Sequence, residues 1–282
     1  YRLGLFADPY RYCDPEREKS EILSPMHLAA ARDVAQKAIV LLKNDGNILP
    51  LKKSLRRIAV LGPLADNNRD PLGTWAADGR PEHVVSVLEG IRQALPSGAE
   101  VLYAKGCEIQ DLETAAIDQA VAVARRAEAA LIVVGEAKDM SGEGASRSFL
   151  GLPGRQEELV KAVAASGIPT VVILMNGRPL ALGSLVDSVP AIVEAWFLGV
   201  QTGHAVADVV FGDVNPGGKL PATFPRTTGQ VPVYYNHKPT GRPGIDGRPF
   251  NSRYLDVPTA PLFPFGFGLS YTTFSFGKPR LR

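Results

Sequence analysis

Five short apolar segments, each followed by a stretch with helical periodicity, constrain the fold of this chain more than any other feature. The segments are rich in β-branched residues and almost continuously apolar, which is typical of strands buried on both faces. Strands that alternate with helices predict a parallel sheet covered by helices on both sides. We therefore predict an α/β fold: an αβα sandwich with a mostly parallel, doubly wound sheet, flanked by extended Pro/Gly-rich segments. The predicted strands are residues 58–62, 99–103, 130–134, 169–175 and 191–196.

The predicted helices lie before, between and after these strands. The first begins after Ser24, a typical N-cap, with Pro25 at the first helical position. Its apolar residues keep a helical period as far as Lys43. From residue 213 onward the chain is dense in Pro, Gly and aromatic residues, which predicts extended segments and turns around the sheet and not a second packed domain. The other predicted helices are 84–95, 112–128, the stretch after Pro153, 180–187 and 202–211.

The balance of charge and hydrophobicity disfavours two classes of partner. Lysines and arginines number 31 against 29 aspartates and glutamates among 282 residues, so the formal charge is only +2. We therefore expect no nucleic-acid partner. No apolar run reaches the roughly 18 residues of a membrane span, so we expect no membrane span, and no signal peptide is recognised. Because the chain starts with Tyr1 and not with Met, we expect it to be a piece of a longer protein.

Metal and cofactor sites find no support in the sequence. No G-x-G-x-x-G follows the first predicted strand, and residues 212–220 depart from a phosphate-binding loop in their Gly–Lys spacing. This disfavours a flavodoxin-like nucleotide binder, and we expect neither a cofactor nor a metal. Cys13 and Cys107 are interpreted as free thiols, with a long-range disulfide left open. The histidines are scattered without ligand spacing: His27, His83, His204 and His237.

The connection after the third predicted strand is the first candidate for a functional loop. Residues 135–154 contain a loop of about 18 residues, which is long for a compact α/β unit and therefore more typical of function. Glu143 lies between Gly142 and Gly144, whose backbone freedom would let the carboxyl enter a cleft. Arg147 follows closely. The alternative is a solvated acidic loop.

A second candidate lies in the long connection after the first predicted strand. Trp75 falls in this connection, and ligands of parallel sheets bind beyond the carboxyl ends of the strands. The indole could stack on a sugar there, and it could equally fold back over the edge of the sheet. Asn176 and Trp196 end later strands and fall on the same edge, although Asn176-Gly177 is interpreted as a turn and not as a site.

Several segments together resemble glycoside hydrolase family 3, in particular its bacterial β-glucosidase branch. They cover nearly the whole chain in the order found in that family. The matching segments are Ile-Val-Leu-Leu-Lys-Asn at 39–44 with Leu-Pro-Leu at 49–51, Gly-Pro-Leu-Ala-Asp at 62–66 with Leu-Gly-Thr-Trp at 72–75, Ser-Gly-Glu-Gly at 141–144, Leu-Met-Asn-Gly-Arg-Pro at 174–179, Asn-Pro-Gly-Gly-Lys-Leu-Pro at 215–221 with Thr-Phe-Pro at 223–225, and Pro-Phe-Gly-Phe-Gly-Leu-Ser-Tyr at 264–271.

The resemblance implies a (β/α)8 barrel, then an αβα sandwich, then often a fibronectin-like module. Residues 1–20 would be the exit of the barrel and a linker, 21–225 the sandwich, 226–270 an extended wrapping segment and 271–282 the start of the third module. In agreement, residues 1–20 have an irregular pattern and 271–276 alternate like a first strand. A periplasmic or secreted protein is expected, and a homodimer is left open.

The resemblance also implies a role for Glu143 as the acid/base residue of a retaining β-glucosidase. The nucleophilic aspartate of the family lies in a Ser-Asp-Trp motif of the barrel, and this chain contains no such motif. The expected partners are therefore an N-terminal barrel domain and an oligosaccharide or β-glucoside substrate, with Trp75 and Arg147 as candidate substrate contacts. β-Xylosidase and β-N-acetylglucosaminidase remain alternatives within the class. A non-catalytic α/β carbohydrate-binding or scaffold module is the alternative outside it.

Overall fold

Six strands form one sheet in the computed structural model, which describes residues 1–112, 116–238, 241–245 and 248–280. Their order across the sheet is β1-β6-β5-β4-β2-β3. All neighbouring pairs are parallel except β1 with β6, which is antiparallel. The predicted α/β fold with a mostly parallel sheet is confirmed. The strands are β1 Val40–Asn44, β2 Arg57–Leu61, β3 Glu100–Ala104, β4 Ala129–Gly135, β5 Thr170–Met175 and β6 Ala191–Glu194.

Helices cover both faces of the sheet, and alternate strand residues divide between them. Leu131 and Val133 of β4 face the layer that contains α2, α3 and α7, whereas Ile132 and Val134 face the layer that contains α4, α5 and α6. Every residue of β4 and β5 is buried, which explains their almost entirely apolar sequence. The helices are α1 Pro15–Glu21, α2 Pro25–Ala38, α3 Val87–Ala94, α4 Ile117–Ala124, α5 Gln156–Ala164, α6 Leu185–Ser188 and α7 Thr202–Val210.

The prediction of one helix from Pro25 to Lys43 is wrong in its last part. The helix α2 ends at Ala38, and Val40–Asn44 forms the antiparallel edge strand β1. Ala35 is the only buried residue within α2, whereas residues 39–42 are all buried. A helix on the surface of a sheet buries one stripe, so a run that is buried at four consecutive positions fits a strand covered on both faces.

Smaller differences also separate the sequence predictions from the structure. The predicted helix 112–128 is α4, Ile117–Ala124, and residues 113–115 lie outside the described part of the chain. The predicted helix 180–187 shortens to Leu185–Ser188. Residues 15–21, predicted to be irregular, form α1 because Asp14 accepts hydrogen bonds from the first free amides of the helix. Residues 271–280 form no strand.

The described part of the segment after α7 consists of extended stretches and turns, and it packs against the sheet through Phe224 and Phe263. Phe224 and Phe263 form an isolated antiparallel bridge and are buried with the layer of α4, α5 and α6. Their rings lie 6.2 Å apart, and the ring of Trp196 lies 6.0 Å from that of Phe224. Through Phe224, these edge-to-face contacts attach Phe263 of the wrapping segment (residues 226–270) beside the carboxyl end of β6. Within the described residues, no helix has the length and apolar character needed to cross a membrane.

Candidate active site

Glu143 occupies a tight turn in the loop that follows β4. The amide of Ala145 donates to the carbonyl of Gly142 at 3.2 Å, so Glu143 and Gly144 are the two central residues of this turn. Gly144 has φ +73° and Gly142 has φ +110°, both in the region that favours glycine. The Glu143 side chain is exposed and makes no hydrogen bond or ion pair with the described residues. The turn therefore presents a free carboxyl group.

The loop that carries Glu143 is attached to the end of the sheet by a buried carboxylate. Glu136 follows β4 directly, and its side chain is fully buried. Its Oε1 lies 2.6 Å from Nη1 of Arg147 and 3.1 Å from Nε of Arg178. Arg147 also donates through Nη2 to the carbonyl of Gly151 at 2.9 Å. We call Glu136, Arg147 and Arg178 the Glu136 cluster.

Arg178 connects this cluster to the backbone on both sides of Glu143. Its Nη2 donates to the carbonyl of Met140 and, at 2.7 Å, to that of Ala145. Arg178 follows β5, which is the neighbour of β4 in the sheet. A Cβ atom on Gly177 would lie 2.1 Å from Oγ of Ser141, so glycine is required where the two loops meet.

The loop after β2 contacts the same turn and places Trp75 near Glu143. The hydroxyl of Thr74 lies within hydrogen-bond distance of the carbonyls of Lys138 and Ser141 and donates its single proton to one of them at a time. A Cβ atom on Gly142 would lie only 2.7 Å from the methyl carbon of Thr74, so the two loops are in close contact here. Trp75, the next residue, is 73% exposed. Thr74 and Gly142 are in contact, and Trp75 and Glu143 are the residues that directly follow them in the chain.

A second buried carboxyl group lies beneath these loops. Glu194 ends β6, is fully buried, and accepts hydrogen bonds from the amide of Trp196 at 2.9 Å and from Nδ2 of Asn176 at 3.1 Å. Asn176, also fully buried, donates to the carbonyl of Arg178 at 2.9 Å. Burial raises the pKa of Glu194 well above its usual range, the two hydrogen bonds oppose this, and the charge of Glu136 adds to it.

We expect Glu194 to make the stability of the fold depend on pH. In the unfolded chain this carboxyl ionises near pH 4.5, whereas in the folded chain it keeps its proton to higher pH. The contribution of Glu194 to the free energy of unfolding is therefore fully present below the pKa of the unfolded chain, and it is lost as pH rises through the pKa of the folded chain. Between the two values the free energy of unfolding falls by up to about 1.4 kcal/mol per pH unit. Urea unfolding of the wild type and Glu194→Gln at several pH values measures this, and a difference that does not change with pH would contradict it.

The structure brings two of the three predicted site residues to one exposed edge and places the third inside the loop. Glu143 and Trp75 lie exposed on adjacent loops, while the Arg147 side chain is only 14% exposed and is paired with Glu136. Sequence reasoning missed Arg178 and Glu194 and interpreted Asn176 only as part of a turn. The available signal was their position, because polar residues that end apolar strands on one edge of a sheet need partners there.

Comparison with known proteins identifies the family. The family model described as "Glycosyl hydrolase family 3 C-terminal domain" matches residues 39–271 of this chain. The periplasmic β-glucosidase of Salmonella typhimurium is 45% identical over 300 residues, which cover 98% of this chain and 39% of that protein. The β-xylosidase of Formosa agariphila is 42% identical over 287 residues, which cover 100% of this chain and 39% of that protein. The chain thus spans about 39% of the length of these two relatives.

A solved structure agrees with these matches. The crystal structure of the β-glucosidase from Listeria innocua in complex with isofagomine superposes with a TM-score of 0.89 at 38% identity. The superposition covers 95% of this chain and 37% of that one. The similarity therefore extends over the sheet, both helical layers and the wrapping segment.

Proposed function

The chain belongs to glycosyl hydrolase family 3, whose C-terminal domain it matches, and from this premise we propose that it supplies the acid/base residue of a β-glucosidase. Glu143 would serve the retaining hydrolysis of terminal non-reducing β-D-glucosyl residues. The nucleophilic carboxylate would come from an N-terminal (β/α)8 barrel, since this chain spans only about 39% of the length of its relatives. A periplasmic or secreted location is proposed from the periplasmic relative.

The observation that carries the proposal is the free carboxyl group of Glu143 on a fixed loop. A retaining glycosidase needs one carboxylate to attack the anomeric carbon and one carboxylic acid to protonate the leaving oxygen, at a separation of roughly 5–5.5 Å. The same residue then accepts a proton from water in the second step. A carboxyl with no partner in its own domain is available to meet a sugar held by a second domain.

β-Xylosidase activity is the second candidate. It is favoured by the 42% identity with the Formosa agariphila β-xylosidase, nearly as high as the identity with the β-glucosidase relative. A non-catalytic carbohydrate-binding or scaffold module is a weaker alternative, because such a module has no need of a carboxyl held free between two glycines. Parallel assays of aryl β-glucosides and aryl β-xylosides distinguish the two activities.

The experiment that tests the proposal compares this chain with a protein that also carries the barrel. We expect residues 1–282 alone to melt cooperatively, because strands buried between two helical layers form a core of their own. We expect no hydrolysis of aryl β-glucosides by residues 1–282 and clear hydrolysis by the longer protein. The reaction needs a nucleophilic carboxylate in addition to the acid, and Glu143 cannot serve as both. Clear hydrolysis by residues 1–282, abolished by Glu143→Ala, would contradict the two-domain proposal.

We propose Trp75 as a substrate contact on the leaving-group side. Arg147, predicted from the sequence as a second substrate contact, is paired with the buried Glu136 and is only 14% exposed, so we propose that it supports the loop and does not touch the sugar. Trp75→Ala should raise KM for disaccharides while leaving small aryl glucosides nearly unchanged, because stacking on one extra sugar is lost. Since the indole is 73% exposed, the free energy of unfolding should change by less than about 0.5 kcal/mol. Steady-state kinetics and a thermal melt measure both quantities. A drop in stability with unchanged substrate preference would assign Trp75 to packing.

A further inference from the structure

We infer that the Glu136 cluster positions the acid/base residue: Arg178, held by Glu136, fixes the backbone on both sides of Glu143. This inference rests on the proposed function of Glu143. In it, Arg178, Glu136 and Arg147 are positioning residues that act on the reaction through the loop.

The first step of the argument is that Glu143 has no side-chain support of its own. Its carboxyl makes no hydrogen bond or ion pair with the described residues. The place of the carboxyl is therefore set by the main chain of the turn that carries it. General acid catalysis requires the acid within hydrogen-bond reach of the leaving oxygen, and an error of about 1 Å costs about 10²-fold in rate.

The second step is that one guanidinium group holds both sides of that turn. The two carbonyls that accept from Nη2 of Arg178 belong to Met140, three residues before Glu143, and Ala145, two residues after it. Both acceptors are main-chain atoms, so Arg178 fixes the path of the backbone itself. A lysine at this position would keep the charge, but its single ammonium lacks the planar fork that reaches both carbonyls and Glu136 together.

The third step is that Arg178 is itself held by a buried charge. Oε1 of Glu136 lies 3.1 Å from Nε of Arg178 and 2.6 Å from Nη1 of Arg147, with the Glu136 side chain fully buried and the arginines 20% and 14% exposed. Ion pairs screened so little by water are stronger than surface pairs. The contact of Arg178 with Glu136 is an ion pair by distance only, because Nε of Arg178 makes no hydrogen bond among the described residues. Arg147 extends the cluster to the carbonyl of Gly151, so the far end of the loop is attached as well.

The test uses a full-length protein that contains this chain and compares substrates that differ in leaving group. Arg178→Lys should lower kcat/KM for an alkyl β-glucoside, a poor leaving group, by about 10²-fold, and that for dinitrophenyl β-glucoside by less than about threefold. Glu136→Gln and Arg147→Lys should show the same selective loss at about tenfold. Glu143→Ala serves as the reference for complete loss of the acid.

Arg32→Lys is the matched control. Arg32 binds Asp208 through Nε at 2.7 Å and Nη2 at 2.5 Å and joins α2 to α7. Among the described residues it makes no hydrogen bond or ion pair with the loop of Glu143. We expect Arg32→Lys to lower stability without changing the ratio of the two kcat/KM values. Hydrogen exchange of the amides of residues 138–147, about tenfold faster in Arg178→Lys than in Arg32→Lys, would support the inference independently of activity.

The outcomes separate this inference from the proposed function. If Glu143→Ala shows no leaving-group dependence, the acid/base assignment fails and the inference fails with it. If Glu143→Ala shows the dependence while Arg178→Lys, Glu136→Gln and Arg147→Lys lower both rates equally or not at all, only the inference is overturned. If Arg178→Lys fails to fold, the ratio of the kcat/KM values for the two substrates in Arg147→Lys decides whether the inference holds.

Discussion

Replacement of Glu143 by alanine in the full-length protein should slow the hydrolysis of substrates with poor leaving groups by about 10²–10⁴-fold, the range of general acid–base assistance. Activated aryl glycosides should lose much less in the first step, because their leaving oxygen departs without a proton. For them the slow step becomes the attack of water, which lacks its base. Added azide needs no base and should restore turnover as a glycosyl azide. Kinetics on both substrate types, with and without azide, measure this.

The matched control for this variant is Asp139→Ala. Asp139 lies four residues earlier in the same loop and is exposed like Glu143. The variant Asp139→Ala should keep kcat/KM within about twofold of the wild type for every substrate, because a carboxyl group that does not reach the leaving oxygen supplies no proton. Equal losses of Glu143→Ala on all substrates, without azide rescue, would place the acid elsewhere in the protein.

Glu136→Ala should lower the free energy of unfolding by about 3–5 kcal/mol, the usual cost of removing one partner from a buried ion pair. The side chain is fully buried, and its loss leaves Arg147 and Arg178 close together without a counter-charge. Since most domains have only about 5–15 kcal/mol of stability, this variant should unfold at a much lower urea concentration. Urea is preferred to guanidinium because it does not screen charges.

An exposed ion pair provides the comparison. Oδ2 of Asp33 lies 2.6 Å from Nζ of Lys37 within α2, and the side chains of Asp33 and Lys37 are 56% and 73% exposed. Asp33→Ala should cost only about 0.3–0.5 kcal/mol, as for other surface pairs one helical turn apart. A loss for Glu136→Ala as small as that for Asp33→Ala would show that water reaches the Glu136 cluster and that its charges are solvated.

The central strands could be predicted from the sequence because burial on both faces leaves a direct trace. Residues 170–175 and 129–135 are buried at every position, and this appears in the sequence as two runs that are apolar except for Thr170. The strand β1 could not be predicted in the same way. Its short apolar run at residues 39–42 follows α2 with no Gly or Pro between them to mark the end of the helix, and its strand conformation depends on antiparallel pairing with β6, a partner far along the chain.

The exposed part of the candidate site was likewise within reach of the sequence, and its buried support was not. Strand order places Trp75 and Glu143 on one edge, and the contact of Thr74 with Gly142 agrees with this. The pairing of Glu136 with Arg178 depends on which strands are neighbours and on how far an arginine side chain extends. Neither is visible in a single sequence. The roles of Glu143, Trp75 and Arg147 remain predictions for the experiments above.

Anchoring through main-chain carbonyls has a consequence for how the loop after β4 tolerates change. Arg178 and Thr74 bind the carbonyls of residues 138, 140, 141 and 145, which every amino acid possesses. Side chains such as Ser146 and Phe149 can therefore be randomised without removing an anchor. An insertion between Met140 and Ala145 is different, since it would carry one carbonyl out of reach of the guanidinium. A library that seeks new aglycone preferences should vary exposed positions such as Ser146 and Phe149, keep Glu143 and Arg147, and keep the length of the loop.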